Sequence, residues 1–191
     1  MKKSTSGILG VFVAAIFFFC GMFVGPKGSN LKSHIKQWRY TAGSAQKMYD
    51  SWEKSALFFE SGGESFESFA QKNESFILYF WATWCPHCKN IFPQMQNLKN
   101  ANIPTVALPF DTDWDSYHLY REKNAPFWQD LVQHSKDGEA VFVPRKDAFD
   151  IPLIPSVWII KNGKVQKIFV GESGAKKFFS YLEKQKILSA Q

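Results

Sequence analysis

Apolar residues fall into blocks along this chain, and their spacing changes from one block to the next. Gly7 to Val24 runs eighteen residues without a charge, with Lys2 and Lys3 before it and Gly25-Pro26-Lys27 after it. That is about the length, at the short end, that crosses a bilayer as one helix. No pair of small residues marks a cleavage point, so an uncleaved anchor over residues 1–26 is expected. From Asn30 to Ser61 there is no proline, and Leu31, Ile35, Trp38, Ala42, Ala45, Tyr49, Trp52, Ala56 and Phe59 recur at alternating intervals of four and three. This spacing predicts a helical juxtamembrane segment within 27–63, either lying on its own domain or forming a homodimer through the 31–59 seam. Gly43 weakens its middle, and Gly62-Gly63 end it.

Residues 64–191 read as the globular domain. Phe66 to Lys72 suits a short helix. Phe76 to Trp81 is a run of large apolar side chains, the pattern of a strand buried on both faces. Beyond Ala82-Thr83-Trp84-Cys85-Pro86-His87-Cys88 the apolar positions Phe92, Met95 and Leu98 take helical spacing, with Pro86 in the first turn and Pro93 placed to kink the helix. Thr105 to Phe110 reads as a second buried strand. Asp111 to Asp150 is mixed, with a helix expected around Trp114 to Lys123 or around Trp128 to His134. Asn162-Gly163 between Val157–Lys161 and Lys164–Val170 predicts a two-residue type I′ hairpin. A final helix is expected from Gly174, its core side carrying Phe178, Phe179, Tyr181, Leu182 and Ile187.

Composition narrows the function classes. Of 191 residues 45% are apolar and 17% aromatic, which excludes a disordered chain. The net charge of +6 is spread among acids, with no basic run interleaved with aromatics, so no nucleic-acid partner is expected. Lys27, Lys32, Lys36 and Arg39 outnumber Lys2 and Lys3, which taken alone favours a cytoplasmic domain. A long following domain translocates largely regardless of such charges, and the basic-then-apolar start has the order of an export signal. The expected location is therefore an inner-membrane anchor with the domain in the periplasm or on another extracytoplasmic face.

Three cysteines are too few for a disulfide scaffold; Cys20 lies in the apolar segment, and Cys85 and Cys88 form a close pair. Disulfide exchange needs one accessible thiol of lowered pKa and a second to resolve the mixed disulfide. Cys85 at a helix start is expected to be the exposed, ionised nucleophile and Cys88, one turn inward, the shielded resolving thiol. Pro86 starts the helix, and His87, as a cation or hydrogen-bond donor, tunes the potential. Structural zinc would need further ligands, and His34, His118 and His134 do not cluster with the pair; haem attachment would need a histidine where Lys89 stands. Soft sulfur also suits Cu(I), so a copper carrier or a non-catalytic binding and assembly protein is the alternative.

The run Phe80-Trp81-Ala82-Thr83-Trp84-Cys85-Pro86-His87-Cys88, followed by Phe92-Pro93, resembles the active-site strand and kinked helix of the thioredoxin superfamily, in particular membrane-anchored TlpA and ResA type proteins. Ile154-Pro155-Ser156 before the hairpin looks like that family's cis-proline loop. The resemblance implies an α/β thioredoxin-like three-layer fold with a central mixed sheet, preceded by a membrane helix and a helical stalk. It implies a thiol-disulfide oxidoreductase with Ile154, Pro155, Ser156 and Trp84 lining the substrate groove. No cofactor beyond the Cys85–Cys88 disulfide is implied; the partners would be cysteine-containing client proteins and a membrane redox partner. Two departures stand out. Ile91 replaces a glutamate frequent in TlpA and ResA proteins, and Tyr79 replaces the aspartate that small thioredoxins bury in the preceding strand, leaving water, Lys89 or a partner to deliver a proton to Cys88. The Pro86-His87 dipeptide is similar to that of oxidising DsbA proteins, whereas the architecture suggests a reductant. Glu172 and Ser173 carry no functional signal.

Overall fold

The computed structural model describes residues 42–53, 56–143 and 153–185. The apolar segment Gly7–Val24 and the first part of the seam, through Trp38, lie outside these residues; among the described helices none is long and apolar enough to cross a membrane. The elements run α1 (Ala42–Glu53), β1 (Leu57–Phe59), α2 (Phe66–Lys72), β2 (Ser75–Trp81), α3 (Pro86–Gln96) with a 3₁₀ turn at Asn97–Lys99, β3 (Thr105–Pro109), α4 (Trp114–Asn124), β4 (Gln129–His134), β5 (Ala140–Val141), β6 (Ser156–Lys161), β7 (Lys164–Val170) and α5 (Gly171–Lys184).

The strands form one mixed sheet in the order β1-β4-β3-β2-β6-β7, with β5 beside β4. β2 lies inside it, parallel to β3 and antiparallel to β6. Six of its seven residues are buried, which its unbroken apolar run requires of a strand covered on both faces. The β2–β6 register sets Phe80 opposite Ser156, so the loop before β6 reaches the same end of the sheet as the turn after Trp81. The hairpin β6–β7 turns at Asn162 and Gly163, both with positive φ (50° and 65°), as a type I′ turn demands.

Two expectations are corrected. The four-three spacing describes a helix only as far as Glu53. Leu57 to Phe59 is a strand instead, pairing antiparallel with Leu131 to Gln133. Leu57 and Phe59 are two apart, which is the strand period, but Ala56 and Phe59 are three apart, so the same residues continue the helical count. Within α1, Ala45 and Tyr49 are wholly buried in this domain's own core, and Gln46 clamps the hairpin by donating to the Gly163 carbonyl at 3.0 Å and accepting from the Val165 N–H at 2.7 Å. These two positions of the seam pack on their own domain. Residues 129–134, one of the two places where a helix was expected, are β4, and the helix is Trp114–Asn124. The last helix starts at Gly171, three residues early, bringing Glu172 into its first turn.

An aromatic layer lies between the sheet and α3 and α4. Tyr79 and Trp81 project from one face of β2 and meet Trp128 edge-on at 5.3 and 5.5 Å, with Tyr120 packed on Trp81 and Phe92 on Trp128. Asp130 fixes this layer from β4. Its carboxylate, fully buried, accepts from Trp81 Nε1 at 2.8 Å and Tyr117 Oη at 2.8 Å and pairs with Arg121. Burial raises its pKa to about 6, with Arg121 opposing that rise. An acid whose folded pKa lies above its unfolded one stabilises the fold most when protonated, and that stability is lost as pH rises through about 6. Arg121→Met should therefore cost about 3–5 kcal/mol at pH 8, where it strands a buried charge. The loss should shrink at pH 5, where Asp130 can take up a proton; urea unfolding at the two pH values measures the difference.

Candidate active site

The turn Ala82–Trp84 delivers the chain from the end of β2 to the start of α3. Asp111, buried at the end of β3, holds this turn by accepting from the Thr83 N–H at 3.1 and 3.2 Å and from its hydroxyl. Cys85 is the N-cap of α3 in extended conformation (φ −79°, ψ 113°), and its Sγ accepts the N–H of Cys88 at 3.2 Å. A sulfur thus takes the place a serine or aspartate oxygen commonly fills at a helix start, and it meets the positive end of the helix dipole. Pro86 occupies the first helical turn, where its missing N–H removes nothing. Cys88, Ile91 and Met95 form the buried stripe of α3, so the second cysteine is inward by helical periodicity. The helix continues through Pro93 to Gln96 although Pro93 has no N–H to donate.

The two cysteines are free thiols, with Cys88 Sγ 2.6 Å from Cys85 Sγ. The pair shares its protons unequally. Cys85 is lowered to about 6, chiefly by the Cys88 thiol and also by the Cys88 N–H and the charge of His87, against the opposing effect of burial. Cys88 is pushed well above the ordinary thiol range by burial and by the neighbouring Cys85. The expectation of an openly exposed Cys85 is corrected: the residue is 3% exposed. Its Sγ lies 3.8 Å from the carbonyl oxygen of Ile154, on the loop that the β2–β6 register brings alongside. Its chain neighbours Trp84, Pro86 and His87 are exposed.

The remaining residues singled out in the sequence divide between surface and core. The Ile154–Pro155 peptide is cis. Ile154 is half-buried and faces Cys85, whereas Ser156 is turned inward, 1% exposed, its hydroxyl accepting from Trp158 Nε1 at 3.1 Å and lying 3.4 Å from the Phe169 carbonyl. Its side chain therefore does not line a groove, because Ser156 already belongs to β6. Trp84 is 53% exposed, held by an indole N–H donated to the Phe110 carbonyl, and a cleft of about 510 Å³ opens beside it, lined by Asp111, Trp114 and Phe142 among others. His118 and His134 lie elsewhere, one near Glu60 and one stacked on Phe58. No group of three or more metal-ligating side chains gathers among the described residues.

Glu172 is a site residue that sequence reading passed over. One of its oxygens lies 2.6 Å from His87 Nδ1 and accepts from Asn90 Nδ2 at 3.1 Å; the other meets Lys176 at 2.8 Å. These contacts hold its pKa down to about 2, Lys176 contributing most. The carboxylate ties α5 to the active-site helix and fixes the imidazole that acts on Cys85. Glu172 stands 85 residues from His87, so no local pattern could have linked them.

Comparison with known proteins agrees with this geometry. The sequence profile of the Thioredoxin-like family matches residues 73–165, from just before β2 to the turn of the β6–β7 hairpin. The thiol-disulfide oxidoreductase ResA of Oceanobacillus iheyensis is 33% identical over 112 residues, covering 56% of this chain and 54% of that protein. ResA of Bacillus subtilis is 28% identical over 120 residues, 59% of this chain and 62% of the relative. The chain thus spans less than two thirds of the length of either. Among solved structures, a secreted Mycobacterium tuberculosis disulfide oxidoreductase superposes with a TM-score of 0.52 over 74% of this chain and 99% of that one, at 16% identity, a likeness of fold. The chain is similar to thioredoxin-superfamily proteins of the TlpA/ResA kind.

If His87 stabilises the Cys85 thiolate, His87→Asn should make the pair more reducing, because the reduced form loses support. Equilibration with glutathione buffers should show a shift of roughly 30 mV, the equivalent of tenfold in the exchange constant.

Proposed function

We propose that this protein is a thiol-disulfide oxidoreductase that exchanges disulfides with client proteins through Cys85 and Cys88. The observation that carries this reading is the cap of α3, in which the Cys88 thiol and N–H both meet the Cys85 sulfur and favour its ionisation, while burial and Cys85 disfavour that of Cys88, one turn on. In the reducing direction the Cys85 thiolate attacks a client disulfide, one client sulfur leaves, and a mixed disulfide forms. Cys88 then attacks Cys85, releasing the second client thiol and closing the Cys85–Cys88 disulfide. The oxidising direction runs the same steps backwards.

Client binding falls to the loop at Ile154 and Pro155, where the Ile154 carbonyl lies beside Cys85, and to the exposed Trp84 with its adjoining cleft. Some movement of this cover accompanies attack, since the nucleophile is shielded at rest. The extracytoplasmic location rests on the Gly7–Val24 segment and its flanking lysines, and on a reactive thiol pair suited to an oxidising compartment. A membrane partner that resets the pair fits that location.

Cys88→Ser should attack a disulfide-bonded peptide and stop, accumulating a covalent adduct visible as an added peptide mass and released by dithiothreitol. Cys85→Ser should form no adduct and catalyse no exchange. Unchanged insulin reduction by the Cys85→Ser variant would exclude the proposed nucleophile.

A further inference from the structure

Two consecutive residues at the start of α5 hold the two sides of the site. Gly171 has a φ of 72°, a left-handed conformation that glycine adopts without strain, and its N–H donates to the Pro155 carbonyl at 2.7 Å. One residue on, Glu172 reaches the active-site helix at His87 Nδ1, 2.6 Å away, and at Asn90 Nδ2, 3.1 Å away. The turn that carries both is packed closely against the hairpin: a Cβ on Gly174 would lie 3.0 Å from the Phe169 carbonyl carbon. The loop beside Cys85 and the histidine beside Cys85 therefore hang from one short, well-fixed piece of backbone.

The chemistry of the Glu172 contact has a direction. Lys176 meets one carboxylate oxygen at 2.8 Å, while His87 and Asn90 share the other. Lys176 chiefly, then His87 and Asn90, keep this acid ionised. An ionised carboxylate can only accept, so Nδ1 of His87 carries a proton directed at Glu172. A charge-assisted bond of this kind fixes the orientation of the ring and which nitrogen holds its proton, and it concentrates positive charge on the imidazole. His87 stands in the first turn of α3, two residues from the sulfur that caps it, and positive charge there favours a thiolate.

We propose that Glu172 is a positioning residue that sets the redox potential of the Cys85–Cys88 pair by holding Nδ1–H of His87. This rests on the exchange chemistry proposed above and adds a residue to it. The equilibrium concerned takes the Cys85–Cys88 disulfide and two reduced glutathiones to the reduced pair and oxidised glutathione. The protein S–S bond gains two electrons and breaks, and one S–S bond forms in glutathione. Of the two protons the glutathione thiols give up, Cys88 takes one and solvent the other, because Cys85 stays a thiolate. Support for that thiolate favours the reduced pair, so the protein is a stronger oxidant with Glu172 than without it.

The test equilibrates the full chain with glutathione buffers at neutral pH. Glu172→Gln removes the charge and keeps the length of the side chain. It should shift the equilibrium constant about fivefold towards the oxidised protein, in the same direction as His87→Asn and on the scale of coupling between residues in contact. In the His87→Asn background the same replacement should change the constant by less than about twofold, since the residue it acts through is gone. Nitrogen NMR of the wild type, at a pH where the ring is neutral, should show His87 as the Nδ1–H tautomer. An unchanged constant in Glu172→Gln, an equal shift in both backgrounds, or an Nε2–H tautomer in the wild type would overturn the role. A wild type that does not exchange with glutathione, or a Cys85→Ser variant that still catalyses exchange, would instead overturn the exchange reading itself.

Discussion

Cys88 holds the Cys85 sulfur twice, chiefly through its thiol and also through its N–H, and the chemistry of this protein depends on that N-cap. It does for α3 what any N-cap does, satisfying a donor that the first helical turn leaves open. Because the acceptor is a thiol, the same bond favours loss of its proton. Stability of the helix start and reactivity of the sulfur are therefore one interaction, and Pro86 supports both by entering the helix without an N–H of its own. The pair is asymmetric for a simple reason of helix geometry: the cap receives the N–H of the first turn, and the third residue after it is on the buried stripe.

The rest of the fold keeps that cap in place and close to what it must meet. β2 carries the chain to it from inside the sheet, Asp111 grips the turn through Thr83, and the β2–β6 register sets the Ile154–Pro155 loop against Cys85. Beneath lies an aromatic layer pinned by a buried carboxylate. An ion of this kind is a weak source of stability, but it is an effective locator, since Asp130 is satisfied only when Trp81, Tyr117 and Arg121 all reach it. Glu172 works from the other side, reaching from α5 to hold His87 and Asn90 on the active-site helix.

What could be read from the chain follows from the range of each signal. The buried run Phe76–Trp81, the proline after Cys85, the Asn162-Gly163 turn and the short helix Phe66–Lys72 are local, and each appears where its pattern places it. Pro155 was placed by resemblance to a family loop, and its cis peptide agrees. β1 was hidden because three residues fit two periods. β4 was hidden because Asp130, an inward residue, is charged, so the alternation that marks a strand is broken where the fold uses a polar group in its core. Glu172 and Asp111 were missed for a third reason: their partners come from other elements, and only the folded topology brings them together.

The central claim is that the helix start holds Cys85 as an anion near neutral pH while Cys88 stays protonated. Ultraviolet thiolate absorbance of the fully reduced protein, followed across pH and corrected with Cys85→Ser, measures this directly. One ionisation with a midpoint near 6, assigned to Cys85, and no second one through the ordinary thiol range is the expected result. A single step for both sulfurs at about 8.5, the value of an unperturbed cysteine, would contradict the account.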